Sequence, residues 1–370
     1  MRTVYLDNAA TTFPKPAPVL RELNRCVRTY CGNPGRSSHS LSLASADKIY
    51  ETRELVARLC NISAPEHICF TQNATHALNI AIKGAINHKC HVITSDIEHN
   101  ALIRPLSAVC RRYGVTVSRF DSDIPPEKAI PPLVRPDTEL IVTTVASNVT
   151  GKVIDTEGLY RVGRELGLPI IIDASQYLGH KELNLERTPF DVVCAPGHKA
   201  LFGIAGSGVV IFSGLFALDT LIEGGSGSDT YNTEMPALLP ERHEAGTVAT
   251  PAIVSLGEGV RYILEYGISE VEQRLSYLTE LAKERLNALS GVQLLGAGNG
   301  IISFNVRDLP SDRVAGTLGE YGICVRGGLH CAPDTHKKLG TEKIGAVRAS
   351  LSILNTERDI DALFSALKKI

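Results

Sequence analysis

Lys199 stands in Ala195-Pro196-Gly197-His198-Lys199, after an apolar run over residues 190–194 and before a glycine-rich turn and a second apolar run, Gly208-Val209-Val210-Ile211-Phe212. Lysine is among the residues least often buried, so a lysine held between two apparent buried strands calls for a chemical reading. Upstream, another apolar run over residues 168–172 ends on Asp173. A lysine that forms an imine and an aspartate that pairs with a pyridinium nitrogen are the two groups a pyridoxal phosphate site needs. The lysine must be desolvated enough to be neutral when it attacks. Each residue also has a plainer reading, a surface lysine and a helix cap.

Further groups fit the same proposal. Phe70-Thr71-Gln72-Asn73-Ala74-Thr75-His76 lies between a strand pattern and a helix pattern. Free backbone N–H groups and the positive dipole end of such a helix suit a phosphate, although Thr75 is equally readable as a plain N-cap. His99 follows a strand in Asp96-Ile97-Glu98-His99-Asn100; there it can stack on a flat ring and move protons, or be an ordinary loop histidine. Gln176 is placed to hydrogen-bond a ring oxygen. Cys331, in Arg326-Gly327-Gly328-Leu329-His330-Cys331-Ala332-Pro333, reads as a partly exposed loop cysteine whose neighbours His330 and Arg326 favour the thiolate. Cys324, inside an apolar strand, reads as an inert thiol. Arg348 interrupts the apolar pattern Ala346-Val347-Arg348-Ala349-Ser350; it clamps a substrate carboxylate or belongs to a structural salt bridge.

These residues need a scaffold that brings them together. Strand patterns are read at 68–70, 91–94, 115–120, 140–145, 169–172, 191–194 and 209–212, and helix patterns at 45–60, 77–86, 102–113 and 158–166. Near-continuous apolar strands alternating with helices predict an α/β fold with a mostly parallel sheet covered on both faces. Ligands bind beyond the carboxyl ends of such strands, where Asp173 and Lys199 fall. From about residue 250 the texture changes. Helices at 252–266 and 269–289 lead to strands at 300–306 and 323–325, a helix at 311–321, an apolar segment at 345–350 and a last helix capped near Thr356. The expected division is a large cofactor-binding domain at 15–250 and a smaller α+β domain at 251–370 joined by residues 1–14.

The 370-residue chain is 44% apolar with a formal charge of −2. That balance gives no footprint for nucleic acid or an anionic membrane surface. No apolar run reaches the length of a membrane span, and Met1-Arg2-Thr3-Val4-Tyr5-Leu6-Asp7 lacks a signal-peptide core. Nine cysteines without a C-x-x-C pair fit reduced thiols, hence a cytoplasmic location. The histidines show no metal-ligand spacing, and no metal is expected.

Taken in order, the motifs resemble the class V aminotransferase superfamily of fold-type I pyridoxal phosphate enzymes, and within it the group II cysteine desulfurases and selenocysteine lyases. The resemblance runs from Tyr5-Leu6-Asp7-Asn8-Ala9-Ala10-Thr11-Thr12 through Gly197-His198-Lys199, Glu244-Ala245-Gly246-Thr247 and the Cys331 motif to Arg348-Ala349-Ser350-Leu351. It implies a homodimer with shared active sites and a pyridoxal 5'-phosphate cofactor. Lys199 would hold the cofactor covalently and move the substrate's α-proton; His99 would stack on the ring and assist. Asp173 would pair with the ring nitrogen and Gln176 with the ring hydroxyl. Ala74, Thr75 and His198 would bind the phosphate, with Thr247 reaching in from the second subunit. Arg348, with Asn148 and Arg326, would hold the substrate, and Asn148 would also contact the cofactor. Cys331 would take sulfur from L-cysteine as a persulfide, releasing alanine and passing the sulfur to an acceptor such as a sulfur-acceptor protein. Selenocysteine lysis, transamination and β-elimination share the same machinery, and a non-catalytic scaffold with a degenerate site is the remaining alternative.

The chain departs from the family pattern in three places. Pro196 stands where a phosphate-donating serine is common, His76 stands where glutamate is usual, and Gly327 and Leu329 alter the loop around the cysteine.

Overall fold

The structure is a computed structural model that describes residues 3–35, 37–213, 216–227 and 231–370. Its strands are β1 (Val4–Tyr5), β2 (Ile68–Thr71), β3 (His91–Ser95), β4 (Thr116–Phe120), β5 (Thr138–Thr144), β6 (Ile170–Asp173), β7 (Val192–Pro196), β8 (Gly208–Phe212), β9 (Val292–Gly298), β10 (Ile301–Val306), β11 (Ile323–Cys324) and β12 (Val347–Ser350). Its helices are α1 (Ala17–Thr29), α2 (Ser40–Cys60), α3 (Ala74–Ala85), α4 (Asn100–Tyr113), α5 (Pro126–Ala129), α6 (Thr156–Leu166), α7 (Thr250–Tyr266), α8 (Ile268–Asn287), α9 (Ser311–Glu320), α10 (Pro333–Lys338) and α11 (Glu357–Leu367).

Seven strands form one sheet in the order β2-β8-β7-β6-β5-β3-β4. All neighbouring pairs are parallel except the two that involve β8, which runs opposite to both β2 and β7. The expected mostly parallel α/β sheet is therefore present. The burial pattern explains why its strands read as unbroken apolar runs. Ile170 and Ile172 pack into one hydrophobic cluster with α2, α7 and α8, while Ile171 packs into a second with α3 and α4. Val193 and Ala195 face the first cluster, and Val192 and Cys194 the second. With both faces covered, no polar position alternates with the apolar ones in the central strands; the edge strand β4, with Thr116 and Arg119 exposed, is the exception.

Parallel strands end at a common edge. Thr71, Ser95, Thr144, Asp173 and Pro196 close β2, β3, β5, β6 and β7, and all five strands point the same way. The turns leaving that edge lead into α3 and α4 and through the Asn148, Gln176 and Lys199 segments.

A separate three-stranded sheet, β12-β10-β9, is antiparallel, and β1 pairs in parallel with β11. An isolated bridge between Asp7 and Ser350 ties the N-terminal segment to β12. Close packing requires glycine at position 327. A Cβ on Gly327 would lie 2.8 Å from the Asp312 backbone, so the loop before Cys331 packs flush against the first turn of α9. The departure at Gly327 is thereby accounted for by close approach.

Candidate active site

Lys199, Asp173 and His99 meet in one cavity of about 230 Å³ at the shared strand edge. Its wall also includes Ala74, Thr75, Asn148, Gln176, His198, Arg326 and Arg348. Of the residues expected to catalyse or to bind cofactor and substrate, Cys331 and Thr247 are the two that do not line it. The turn after β7 places Lys199, and Thr12 Oγ1 donates to its carbonyl. Burial lowers the Lys199 pKa to about 8, against the opposing pull of the Asp173 carboxylate. Arg348 and Arg326 push it down as well. The amine is thus far closer to its neutral, nucleophilic form than an exposed lysine.

Asp173 ends β6 and is 2% exposed. Its Oδ1 accepts from Ser175 N at 2.9 Å, so the carboxylate is oriented by backbone. Gln176 is buried and donates from Nε2 to the Ala9 carbonyl at 2.9 Å, which fixes its amide in the cavity wall.

His99 is the N-cap of α4: its Nδ1 accepts from Ala101 N at 3.0 Å. Burial, followed by the nearby Lys199 cation, lowers its pKa to about 4. A neutral ring whose Nδ1 accepts must carry its proton on Nε2, so His99 is a preset donor. Beside it, Glu98 is fully buried and accepts from Ser95 N, Ser95 Oγ, Thr143 Oγ1 and Thr144 N. Burial drives the Glu98 pKa up to about 7. Sequence reasoning passed over Glu98, because its donors on β5 are distant in the chain.

At the opposite wall, α3 begins at Ala74 with Thr75 in its first turn. Its N-cap is Asn73, whose side chain accepts from His76 N at 2.9 Å, so the alternative of Thr75 as cap does not hold. Thr75 is exposed and its hydroxyl is left for the cavity. His76 accepts at Nδ1 from Gln72 N. His198 Nδ1 is buried without a partner among the described residues, and burial lowers the ring's pKa to about 4. Pro196 lines the same wall.

Arg348 forms the structural ion pair and also lines the cavity. It is 1% exposed, with Nη2 2.8 Å from Asp7 Oδ1 and Nη1 donating to the Asn148 carbonyl at 3.0 Å. Its Nε is buried without a partner among the described residues. The guanidinium is thus partly committed to a structural ion pair while it faces the cavity. Arg326 faces the same cavity, and no carboxylate among the described residues lies within salt-bridge distance of it. Asp7 is the residue missed here; it appears in the sequence only as part of the N-terminal motif.

Cys331 is exposed and outside the cavity wall. Its segment is nevertheless tied to the cavity by two bonds. Asn148 Nδ2 donates to the His330 carbonyl at 2.8 Å, and Asn100 N donates to the Cys331 carbonyl at 2.7 Å. His330 and Cys331 both have left-handed backbones, φ 49° and 56°, at a cost of about 1–3 kcal/mol each. The expectation that His330 favours the Cys331 thiolate needs correction, because the ring carries no charge to do so. The ring is buried, its pKa is lowered to about 3, and its nitrogens are engaged with His336 and the Arg326 carbonyl. Cys324 is half-buried on β11.

Thr247 lies in a second hollow with Tyr50, Arg53 and Glu244. The Arg53–Glu244 ion pair at 2.5 Å, with Glu244 also accepting from Phe70 N, anchors the Thr247 loop to β2. Within this chain Thr247 does not join the Lys199 cavity. Among the described residues no cluster of three His, Cys, Asp or Glu could hold a metal, and no helix is long and apolar enough to cross a membrane.

A pyridine-based phosphate ester suits these donors. The cavity offers an amine, an oriented carboxylate, a helix N-terminus with a free hydroxyl, and an unpartnered buried imidazole nitrogen.

Comparison with known proteins agrees with that geometry. The family model "Aminotransferase class-V" matches residues 4–363. A probable cysteine desulfurase of Methanothermobacter thermautotrophicus is 33% identical, over 99% of this chain and 94% of the relative. One of Pyrococcus abyssi is 30% identical, with the same two coverages. The apo structure of a cysteine desulfurase from Thermococcus onnurineus superposes with a TM-score of 0.90 at 27% identity, covering 99% of this chain and 94% of that one.

Proposed function

The chain belongs to the class-V aminotransferase family, and from that premise we propose that it is a pyridoxal phosphate-dependent cysteine desulfurase that converts L-cysteine to L-alanine. The observation that carries the reading is the convergence of Lys199, Asp173, His99 and Arg348 on one cavity from separate parts of the chain. The cofactor, when bound, supplies an electron sink for the substrate's bonding pair. The chain supplies the rest. Lys199 attaches the cofactor and exchanges the α-proton. Asp173 would keep the ring nitrogen protonated, and His99, with its proton on Nε2, would donate into the same cavity. Thr75, the start of α3 and His198 would hold the phosphate, and Gln176 the ring hydroxyl. Arg326 and Arg348 hold the substrate carboxylate.

Cys331, as thiolate, attacks the substrate sulfur. The new S–S bond forms as the C–S bond breaks, and the departing carbon is reprotonated to give alanine. The persulfide then passes to an acceptor. The same reading makes the protein a cytoplasmic homodimer in which Thr247 completes the partner's phosphate site; its place in a hollow away from Lys199 supports this. It also takes residues 15–250 as the cofactor domain and 251–370 with 1–14 as the smaller one, supported by the separate sheets.

The test is incubation with L-cysteine, quantifying alanine and mapping sulfane sulfur by mass. Equimolar alanine with sulfur on Cys331 supports the reading. Pyruvate, a keto acid or selenide-only activity would replace it with β-elimination, transamination or selenocysteine lysis.

A further inference from the structure

His336 lies on α10, just past Cys331, and is fully buried. Its Nε2 is 3.2 Å from His330 Nδ1, and its Nδ1 is 2.8 Å from Thr341 Oγ1. The two rings stack with centroids 5.4 Å apart and an interplanar angle of 18°. At the far end, His330 Nε2 is 3.3 Å from the Arg326 carbonyl.

The end groups fix every proton along this line. A carbonyl only accepts, so His330 Nε2 carries the hydrogen. Burial keeps the ring neutral, which leaves His330 Nδ1 as an acceptor. His336 must therefore donate from Nε2. Burial keeps His336 neutral too, so its Nδ1 accepts from the Thr341 hydroxyl at 2.8 Å, closer than that hydroxyl's other acceptor, the His336 carbonyl at 3.4 Å. The result is a one-way chain, Thr341 to His336 to His330 to the Arg326 carbonyl, with each ring nitrogen satisfied.

We propose that His336 is a positioning residue for Cys331, acting through His330; this rests on the reading of Cys331 as the sulfur nucleophile. His330 and Cys331 are consecutive left-handed residues following Gly328 at φ 100°. Such a backbone persists only where its surroundings over-determine it. The peptide side of the segment is held by Asn148 and Asn100. The side-chain lock comes from His336 through the His330 ring. Without that donor, His330 Nδ1 is a buried acceptor with nothing to accept from. The ring must turn, and the direction of the Cys331 Sγ turns with the backbone.

The test uses the cofactor-loaded enzyme and the rate of alanine formation from L-cysteine. His336→Phe fills the ring volume and keeps the stacking but removes the donor. His336→Gln restores an N–H near the position of Nε2. The expected result for His336→Phe is a kcat lower by about tenfold or more, from misplacement of the attacking atom. Its KM should stay within about twofold and the cofactor absorbance should be unchanged, because uniform binding is untouched. His336→Gln should recover to within about threefold of the parent kcat. Parent-like kcat in His336→Phe overturns the proposal, and so does a His336→Gln enzyme as slow as His336→Phe. If His336→Phe fails to bind cofactor, Thr341→Val serves instead: a loss of about threefold in kcat supports the chain, and an unchanged kcat contradicts it. Cys331→Ser, run in parallel, separates the two levels. Full sulfur release by that variant removes the nucleophile reading and this proposal with it. An inactive Cys331→Ser beside a parent-like His336→Phe removes this proposal alone.

Discussion

Asp173 ends β6 and Lys199 lies in the turn just past its paired neighbour β7, and the backbones of both strands are fixed by ladder hydrogen bonds and buried on both faces. Cys331 sits on a segment with two left-handed residues, followed by a helix of six residues. That helix is held to the sheet edge by charge: Lys338 reaches Asp96, Asp121 and Asp123 at 2.6–2.7 Å, and Arg119 reaches Asp334 at 2.9 Å. One half of the site is thus positioned by backbone pairing and desolvation. The other is positioned by side-chain bonds and surface ion pairs. The contrast fits the division of labour in the proposed reaction. Electron withdrawal needs fixed electrostatics, whereas a sulfur carrier must present its load to something outside.

The contrast can be broken most severely at Lys199. Lys199→Ala removes both the attachment point and the proton carrier, and alanine formation should fall by about 10²–10⁴-fold or more, while urea unfolding stays close to that of the parent. Appreciable turnover would show that the sheet-edge half does not carry the chemistry. Asp173→Asn keeps the shape and removes the charge; kcat should drop on the order of 10²-fold, with sulfur still mapping to Cys331 in whatever turnover remains. An unchanged kcat would contradict the electrostatic account.

Titration sharpens the same half. With the Lys199 pKa lowered to about 8, the neutral fraction of the amine rises as pH approaches 8 and levels off above it. The rate of cofactor uptake by the apoprotein should follow that curve. An exposed lysine would keep gaining up to about pH 10.4. Because Asp173 raises the Lys199 pKa, the levelling-off in Asp173→Asn should move to lower pH. Movement upward would invert the assigned sign.

The smallest effect is expected in the other half. At about 1 M salt the screening length is about 3 Å, and the partly exposed Lys338 and Arg119 pairs weaken. Alkylation of Cys331 should then speed up by about twofold, while cofactor absorbance stays constant. Salt-insensitive alkylation would mean that the ion pairs do not hold α10.

The two halves also differed in how legible they were. The strands that carry Asp173 and Lys199 announce themselves, because strands buried on both faces are uninterrupted apolar runs. The reversed direction of β8 left no such trace, since burial on both faces looks the same for either orientation. Helix α1 escaped notice behind Pro14 and Pro16, and β9 behind Gly296 and Gly298. The cavity's second tier was harder to see. Glu98 is satisfied by Thr143 and Thr144, Arg348 by Asp7, and His330 by His336. Each is a pairing between residue types common in loops, made visible only when the chain closes. His330 shows the consequence: proximity in sequence to Cys331 suggested a charged neighbour, but burial makes the ring neutral and turns it into a structural strut.

The central claim is that Lys199 is the amine that binds the cofactor at the sheet edge. Loading the protein with pyridoxal phosphate, reducing with borohydride and mapping the peptides tests it directly. The account predicts the reduced cofactor on the peptide that contains Lys199. Its appearance on another lysine, with Lys199 unlabelled, would contradict it.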